Sequence, residues 1–320
     1  MDHLMKNLHE TMESFDFTHF DKSKLTLDKR ISSGYIGEVY EGTLELFDEK
    51  EPVIIKKLTS DNYNNGVNDE YLYNDTIDEV RISHKFMDNS ERLIRFYGYS
   101  HSCDSKEVIL YLIMEKTSAK YDLGGYLYDN PNWVKLTEEE YNSTNSLTTL
   151  SHESNYWDYI LSYKEKLHIM HEIGLSIKEL HSHKIVHCDL KPNNMLYVCG
   201  TIVLIDFNAS YFMGEKNRIQ GKSYQGTPGY MPKEMCRGVI SYASDVYSMG
   251  VCFLEVWFGD IWPKQTDRYD KNRKYIMDYL SLLEEDNPKI HSIVKQCVSK
   301  NPEKRPTVDN VIEQIENMIK

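Results

Sequence analysis

One stretch of this chain constrains its fold more than any other, because it sets polar, chemically versatile side chains between two apolar elements. Residues 185–210 read IVHCDLKPNNMLYVCGTIVLIDFNAS. The stretch follows a segment whose apolar residues recur at helical spacing, which predicts an amphipathic helix. Those residues are Leu167, Met170, Ile173, Ile177 and Leu180. Within the stretch, the apolar run TIVLI predicts a strand that ends just before Asp206.

The polar loop of this stretch, HCDLKPNN, carries Asp189, Lys191 and Asn194, and Asp206 lies on the next turn. Phosphoryl transfer requires a carboxylate near the acceptor hydroxyl, oxygen ligands for Mg²⁺ and a cation that balances developing charge. Asp189 is the candidate carboxylate and Lys191 the candidate cation. Asn194 and Asp206 offer hard oxygen ligands of the kind that Mg²⁺ accepts. These residue types in one compact segment indicate phosphoryl-transfer chemistry.

The first part of the chain, from Leu25 to Ile113, predicts short strands with one helix among them. The runs EVYEGTLELF, PVIIKKL, LIRFYGYS and VILYLIME are rich in β-branched and aromatic residues and are bounded by turn residues, as is typical of strands. The run DTIDEVRISHKFM has the apolar spacing of a helix. After Glu115 the chain becomes mostly helical, including an apolar helix at SDVYSMGVCFLEVWFG.

Two features of the strand-rich part are candidate phosphate-binding elements. Gly34 and Gly37 flank a turn in ISSGYIGEVYEG, where backbone N–H groups can approach a phosphate closely because no Cβ intervenes. Lys56 and Lys57 point to opposite faces of their strand, so one of them requires an anionic partner. We choose Glu79 on the following helix as that partner. The less favoured candidates are Asp78 and Glu70.

Composition excludes several classes of protein. Of the 320 residues, 40% are hydrophobic and 27% are charged, which is ordinary for a soluble globular chain. A formal charge of −13 argues against a protein that coats nucleic acid or anionic membranes. The six cysteines are scattered without a C-x-x-C pair, which favours free thiols in a reducing compartment. No signal peptide or membrane span is evident, so we expect an intracellular, cytoplasmic protein, with a nuclear location left open.

These motifs together resemble the eukaryotic-type protein kinase family, serine/threonine branch, over about residues 25–318. SSGYIGEV resembles the glycine-rich loop, VIIK the strand-three lysine motif, HCDLKPNN the catalytic loop, DFN the metal-binding turn and GTPGYMPKE the end of the activation segment. In SDVYSMG, Asp245 would brace the catalytic loop from a buried helix. Arg305 in NPEKRPT would pair with Glu234.

The resemblance implies ATP and Mg²⁺ as cofactors and a role for each motif residue. Lys56, held by Glu79, would contact the α- and β-phosphates. Asp189 would accept the proton of the acceptor hydroxyl, and Lys191 would steady the γ-phosphate. Asn194 and Asp206 would hold Mg²⁺. The remaining residues implied in nucleotide binding are Ile31, Ser32, Gly34, Gly37, Val39, Ile54, Met114, Glu115 and Leu196.

The implied fold is α+β and bilobal, with a small β-rich N-lobe that contains one main helix and a larger, mostly α-helical C-lobe. We expect an N-terminal arm at residues 1–24 and a kinase domain at 25–318. Within that domain the N-lobe would span 25–115, the hinge 115–118 and the C-lobe 119–318. The polar, aperiodic residues 129–156 are expected to be an insert in the C-lobe.

Four motifs depart from the family pattern. Ser32 replaces the first glycine of the phosphate loop, and PKE replaces A-P-E. Cys188 replaces the arginine that precedes the catalytic aspartate, so the loop is of the non-RD type. Phosphorylation of Ser223, Tyr224 or Thr227 is then expected to matter less for switching. Asn208 replaces the last glycine of D-F-G; asparagine is the non-glycine residue best suited to φ > 0, so we expect a stiffer turn that retains its metal.

Three other functions compete with an active protein kinase. A pseudokinase would use the same fold as a nucleotide-binding or scaffold module. A small-molecule kinase would share the aspartate loop, but it would lack the GTPGYMPKE segment and the Glu234–Arg305 pair. A non-catalytic adaptor would leave the motif series unexplained. We expect a protein substrate, with neither nucleic acid nor membrane as partner. The insert at 129–156 and the N-terminal arm are the candidate contacts for a regulatory partner.

Overall fold

The chain forms two compact units in the computed structural model, which describes residue 12 and residues 17–33, 37–47, 49–59, 77–83, 85, 90–103, 108–128, 161–223, 225–262 and 269–320. The first unit comprises Met1–Ser118 and Asp206–Ser210, and the second comprises Ala119–Ile205 and Tyr211–Lys320. The predicted insert at 129–156 lies outside the described residues. Among the residues described, no helix has both the length and the apolar composition that crossing a bilayer requires.

The first unit is built on a six-stranded sheet with the order β1-β5-β6-β4-β3-β2. Its strands are β1 (Thr18–His19), β2 (Leu25–Ser33), β3 (Glu38–Leu46), β4 (Glu49–Thr59), β5 (Phe96–Cys103) and β6 (Val108–Glu115). All pairings are antiparallel except that of β1 with β5. The sequence predicted β3 to β6 as separate runs, and a strand before the turn at Gly34 that corresponds to β2. It left β1 within the arm.

Alternation along β4 gives the sheet two different faces. Val53 and Ile55 point to one face and pack with residues of β2, β3 and β6. Leu58 points to the other face, together with Leu110 and Leu112 of β6, and contacts the helix α1 (residues 77–83) through Ile77 and Val80. The sheet is therefore buried on both sides, and one of these sides holds α1.

Strand β5 begins at Phe96, whereas the run LIRFYGYS predicted a start at Leu93. The hydroxyl oxygen of Ser90 accepts hydrogen bonds from the backbone N–H groups of Arg92 and Leu93, at 3.1 and 2.8 Å. These bonds hold a turn where the composition alone favoured a strand, since a serine side chain competes with the ladder for backbone donors.

The second unit is mainly helical. Its helices are α2 (Leu123–Tyr128), α3 (Tyr163–Ser182), α4 (Tyr242–Phe258), α5 (Tyr269–Asp286), α6 (Pro288–Cys297) and α7 (Val308–Ile319). Helix α3 begins at a capping box formed by Ser162 and Glu165. The five apolar residues that predicted α3 are all buried, and α3 packs against α4 and α7.

Short two-stranded ladders shape the loops of the second unit. They pair β7 (Ile185–Val186) with β10 (Tyr211–Phe212), β8 (Met195–Val198) with β9 (Thr201–Leu204), and β11 (Arg218–Gln220) with β12 (Val239–Ser241). The β8–β9 hairpin contains the predicted TIVLI strand. The ladders hold the polar loop 187–194 between β7 and β8.

Helix α4 is buried along almost its whole length and encloses a carboxyl group, that of Glu255. Tyr230 Oη donates a hydrogen bond of 2.9 Å to Glu255 Oε1. Burial raises the pKa of Glu255 from its ordinary 4.5 to about 8, against the smaller, opposing effect of the Tyr230 hydroxyl.

We expect Glu255→Gln to stabilise the chain at pH 8 but not at pH 5. A carboxyl group whose pKa is raised on folding contributes stability that is fully present below about pH 4.5 and is lost as the pH rises to 8. Glutamine has no charge to bury, so the gain at pH 8 is on the order of 4 kcal/mol. Urea unfolding at both pH values measures it, with the exposed Glu313→Gln as control. Equal effects at the two pH values would contradict a raised pKa.

Candidate active site

In the first unit, Lys56 on β4 forms a buried ion pair with Glu79 on α1. Lys56 Nζ lies 2.8 Å from Glu79 Oε1 and 2.9 Å from Oε2, and Lys56 is only 7% exposed. The same Nζ donates to Asp206 Oδ1 at 3.1 Å. The structure thus places against Lys56 the carboxylate that the sequence favoured. Of the less favoured candidates, Asp78 is exposed and pairs with Arg81, and Glu70 lies outside the described residues.

The charge of Lys56 is stabilised by these two carboxylates. Burial alone would lower the pKa of Lys56, but Asp206 and Glu79 outweigh the desolvation and raise its pKa above the ordinary value. Lys57 points to the opposite face, is partly exposed, and lies 3.6 Å from Glu38 Oε2. The two adjacent lysines therefore have different surroundings, as strand alternation predicted.

The register of the sheet places the predicted adenine-contacting residues of β3, β4 and β6 on the face that carries Lys56. Val39 lies directly opposite Lys56, and Ile54, two residues before Lys56, lies opposite Met114. Directly paired residues and those two apart in a strand share a face. The backbone of Glu115 pairs with Val53.

The predicted glycine-rich loop connects β2 to β3. Ile31 is 51% exposed, and Ser32 is also exposed. A Cβ at Gly37 would lie 2.5 Å from the carbonyl oxygen of Lys57, so only glycine fits without a shift of backbone. Gly34 lies outside the described residues.

In the second unit, the carboxylate of Asp189 is the centre of a hydrogen-bond cluster. Its Oδ1 accepts from the backbone N–H and the hydroxyl of Thr227, at 2.7 and 2.6 Å. Its Oδ2 accepts from Lys191 Nζ and from Asn194 Nδ2, both at 3.0 Å. Lys191 also donates to Thr227 Oγ1 at 2.7 Å. The four side chains of this cluster, which come from two loops, thus hold one another in place.

Thr227 is the member of this cluster that sequence reasoning missed. Its motif, GTPGYMPKE, was assigned only to the end of the activation segment, and Thr227 was grouped with the phosphorylation candidates. In the structure its hydroxyl donates to Asp189 and accepts from Lys191. The position of the motif near the end of the activation segment was the available signal, but the contact spans loops that are distant in sequence.

The loop that carries Asp189 is held from behind by Asp245 of the buried helix α4. Asp245 accepts hydrogen bonds from the backbone N–H groups of His187 and Cys188, at 2.8 and 3.0 Å. It also lies 2.9 Å from His181 Nε2. A buried carboxylate with these partners satisfies donors that would otherwise lack a partner, and it fixes the backbone just before Asp189.

The GTPGYMPKE segment is anchored by a two-point ion pair. Arg305 Nη1 lies 2.5 Å from Glu234 Oε1, and Nη2 lies 3.2 Å from Oε2. Nη1 and Nε also donate to the carbonyl oxygens of Ala243 and Ser299. The guanidinium matches the planar carboxylate, so Arg305 fixes the segment in the manner that the sequence suggested.

The residues suggested as Mg²⁺ ligands have suitable donor atoms. The amide nitrogen of Asn194 donates to two oxygens of Asp189, the main-chain oxygen at 2.8 Å and Oδ2. The amide oxygen of Asn194 is the atom that can accept or act as a ligand. Asp206 provides a carboxylate that is 37% exposed. No group of three or more His, Cys, Asp or Glu residues in the described part of the chain could hold a metal. Taken one by one, the amide oxygen of Asn194 and the carboxylate of Asp206 are hard oxygen donors of the kind that Mg²⁺ accepts.

Cys188 and Asn208 differ in how they fit the backbone. Cys188 is buried at φ 67°, and burial raises the pKa of its thiol. The positive φ of the DFN turn belongs to Asp206 (φ 64°) and not to Asn208, which lies in the right-handed single turn Phe207–Ala209. Our reason for tolerating Asn208, its suitability for φ > 0, was therefore wrong for this conformation: a right-handed turn accepts asparagine without that special freedom.

Comparison with known proteins agrees with this geometry. The family model for the protein kinase domain matches residues 25–315. The serine/threonine-protein kinase MPS1 of Encephalitozoon cuniculi is 29% identical over 45% of this chain, and the probable serine/threonine-protein kinase mkcF of Dictyostelium discoideum is 36% identical over 44%. The mouse dual specificity protein kinase TTK is 25% identical over 89% of the chain.

The chain aligns with only 25%, 21% and 30% of the lengths of these three relatives, in the same order. The family match, in contrast, extends over most of this chain. It covers the strands of the first unit from β2 onward, the loop of Asp189, the turn of Asp206 and the Glu234–Arg305 pair. The chain belongs to the protein kinase domain family.

Proposed function

We propose that the chain is an ATP-dependent serine/threonine protein kinase that transfers the γ-phosphoryl group of Mg-ATP to hydroxyl groups of proteins. The observation that carries this proposal is the buried contact of Lys56 with Glu79 and Asp206. A buried ammonium with two carboxylates contributes little net stability, because desolvation offsets most of the attraction. A role in binding a phosphorylated ligand therefore explains the buried ammonium of Lys56 better than a role in stability does.

Within this proposal, Lys56 donates to the α- and β-phosphates and Glu79 keeps the ammonium in place. Val39, Ile54 and Met114, which share the face of Lys56, contribute apolar contacts to adenine, together with Ile31 and Leu196. The backbone at Glu115 supplies hydrogen bonds to the edge of the base. Ser32, Gly34 and Gly37 bring backbone N–H groups to the phosphates.

Asp189 orients the acceptor hydroxyl and takes its proton. The contacts with Thr227 and Asn194 hold the carboxylate in one rotamer, so little reorganisation is needed during the reaction. Lys191, 3.0 Å from Asp189 Oδ2, balances negative charge on the transferred group. Asn194 and Asp206 would hold Mg²⁺, which when bound neutralises charge on the phosphate oxygens.

A protein substrate is favoured over a small molecule by the anchored GTPGYMPKE segment. The bond pair between Arg305 and Glu234 fixes the end of this segment, while Thr227 joins it to the catalytic aspartate. A segment held at both places can support an extended peptide next to Asp189. Two of the relatives are named as serine/threonine-protein kinases, which supports the same acceptor class.

Lys56→Met should abolish Mg²⁺-dependent transfer, whereas Lys57→Met should leave it nearly unchanged. The two residues are neighbours of the same type, but only Lys56 contacts Glu79 and Asp206. We expect a loss of at least about 100-fold for Lys56→Met, and a similar loss for Asp189→Asn, because each removes a charged group that acts in the transition state. The measurement is transfer of radiolabelled γ-phosphate to generic protein substrates, followed by phospho-amino-acid analysis.

Retained transfer in Lys56→Met would contradict the assignment of the site. Nucleotide binding by the wild-type chain with no transfer to any protein would instead support a non-catalytic nucleotide-binding module. Label found only on tyrosine would contradict the acceptor class.

Activity should depend little on phosphorylation of Ser223 and Tyr224. The position before Asp189 holds Cys188, whose buried neutral thiol offers no positive charge to a phosphate. We expect Ser223→Ala and Tyr224→Phe to keep kcat within about twofold, and phosphatase treatment to change it as little. Thr227→Ala is unsuitable here, because it also removes the contacts with Asp189 and Lys191. Activity lost on phosphatase treatment and restored by Ser223→Glu would contradict this account.

A further inference from the structure

Part of the N-terminal arm is built into the first unit, on the face of the sheet that carries α1. Met12 is fully buried and Phe17 is 4% exposed. Both belong to the core cluster that contains Ile77 and Val80 of α1. Phe17 also meets Phe96 of β5 edge to face, with 5.0 Å between ring centroids. We call Met12 together with residues 17–20 the arm contact.

We propose that the arm contact positions Glu79 against Lys56, so that the arm is a built-in activating element of this kinase domain. This inference rests on the proposed function for its effect on catalysis, but not for its effect on α1. Phe17 and Met12 pack in one buried cluster with Ile77 and Val80 of α1, so we class them as positioning residues that act through α1.

The seating of α1 links the arm to the ion pair. Ile77 and Val80 are three residues apart and lie on one side of the helix, against the cluster that includes Met12 and Phe17. Glu79 lies between them in sequence, and its carboxylate is within 2.9 Å of Lys56 Nζ at both oxygens. A small rotation or shift of α1 would lengthen both bonds, so the packing of Ile77 and Val80 sets the geometry of Glu79.

Packing is also better suited than charge to hold this geometry. A buried ion pair has little net free energy of its own, because desolvation of both groups offsets their attraction. Burial of a phenylalanine and a methionine side chain is favourable with no such offset. In this cluster, Met12 and Phe17 come from the arm, while its other members belong to the sheet or to α1. Loss of the arm would therefore leave α1 with fewer apolar neighbours.

Strand β5 has features that accommodate the arm. Thr18 and His19 form the parallel strand β1 beside Gly98 and Tyr99, and Phe20 donates its backbone N–H to the carbonyl oxygen of Tyr99 at 2.8 Å. Gly98 has φ 154°, and a Cβ there would lie 2.2 Å from the carbonyl oxygen of Thr18. The arm can approach β5 this closely only because residue 98 has no side chain.

The test compares Phe17→Ala in the full chain with Leu44→Ala as a matched control. Leu44 is a fully buried residue of the opposite face of the sheet, outside the cluster of Met12 and Phe17. Two quantities are measured for each variant: hydrogen–deuterium exchange of residues 77–83, and kcat with KM for ATP. We expect Phe17→Ala to increase exchange in 77–83 and to lower kcat about tenfold. Phe17→Leu keeps an apolar side chain at this position, so it should restore most of the exchange protection of 77–83 and most of kcat.

Leu44→Ala should lower the melting temperature about as much as Phe17→Ala does. It should nevertheless leave hydrogen–deuterium exchange in 77–83 unchanged and kcat within about twofold of the wild type. Equal effects of the two variants on exchange and kcat would show that Phe17 contributes only general stability, and the proposal would be wrong. An unchanged exchange of 77–83 in Phe17→Ala would also overturn it.

A double variant tests whether Phe17 acts through Glu79. If it does, Phe17→Ala should reduce kcat by less than about twofold in a Glu79→Gln background, because the contact that it supports is already lost. A double variant whose loss of kcat equals the product of the two single-variant losses would contradict the proposal. If the wild-type chain shows no transfer, the proposed function fails, and the exchange measurements alone still decide whether the arm holds α1.

Discussion

The buried ammonium of Lys56 is the constraint on which the first unit depends. A charged group that is 7% exposed must have anionic partners, because the cost of removing it from water is far larger than the stability of a folded domain. Glu79 and Asp206 provide them. The remaining structure of this unit can be understood as what holds those two carboxylates: α1 for the first, and the turn at residues 206–210 for the second.

The second unit fixes its own carboxylate in a related way. Asp189 is held by hydrogen bonds from Thr227, Lys191 and Asn194, and the backbone before it is held by Asp245 of α4. Both units thus orient carboxylates with partners that are themselves buried or hydrogen-bonded. Such preorganisation is the main contribution that a protein can make to phosphoryl transfer, since the reaction requires positioning and charge stabilisation more than covalent chemistry.

Much of this arrangement could be predicted from the sequence because the relevant signals are local. The spacing of Leu167 to Leu180 predicted α3, alternation separated Lys56 from Lys57, and the helical run after β4 placed Glu79 within reach. The non-local contacts could not be predicted in the same way. Thr227 reaches Asp189 across two loops, and the φ values of Asp206 and Asn208 depend on the packing of the turn. The arm has no periodicity, and its strand Thr18–His19 exists only through pairing with β5.

The most direct test of the account is the Mg²⁺ dependence of ATP binding, measured by calorimetry on the wild type and on Asp206→Asn. Asparagine is nearly isosteric with aspartate but has no charge, so it removes the proposed carboxylate ligand with little change in shape. We predict that Mg²⁺ increases the affinity of the wild type for ATP at least about tenfold and that this increase is lost in Asp206→Asn. A wild type that binds ATP equally well with and without Mg²⁺, or a variant that keeps the full increase, would contradict it.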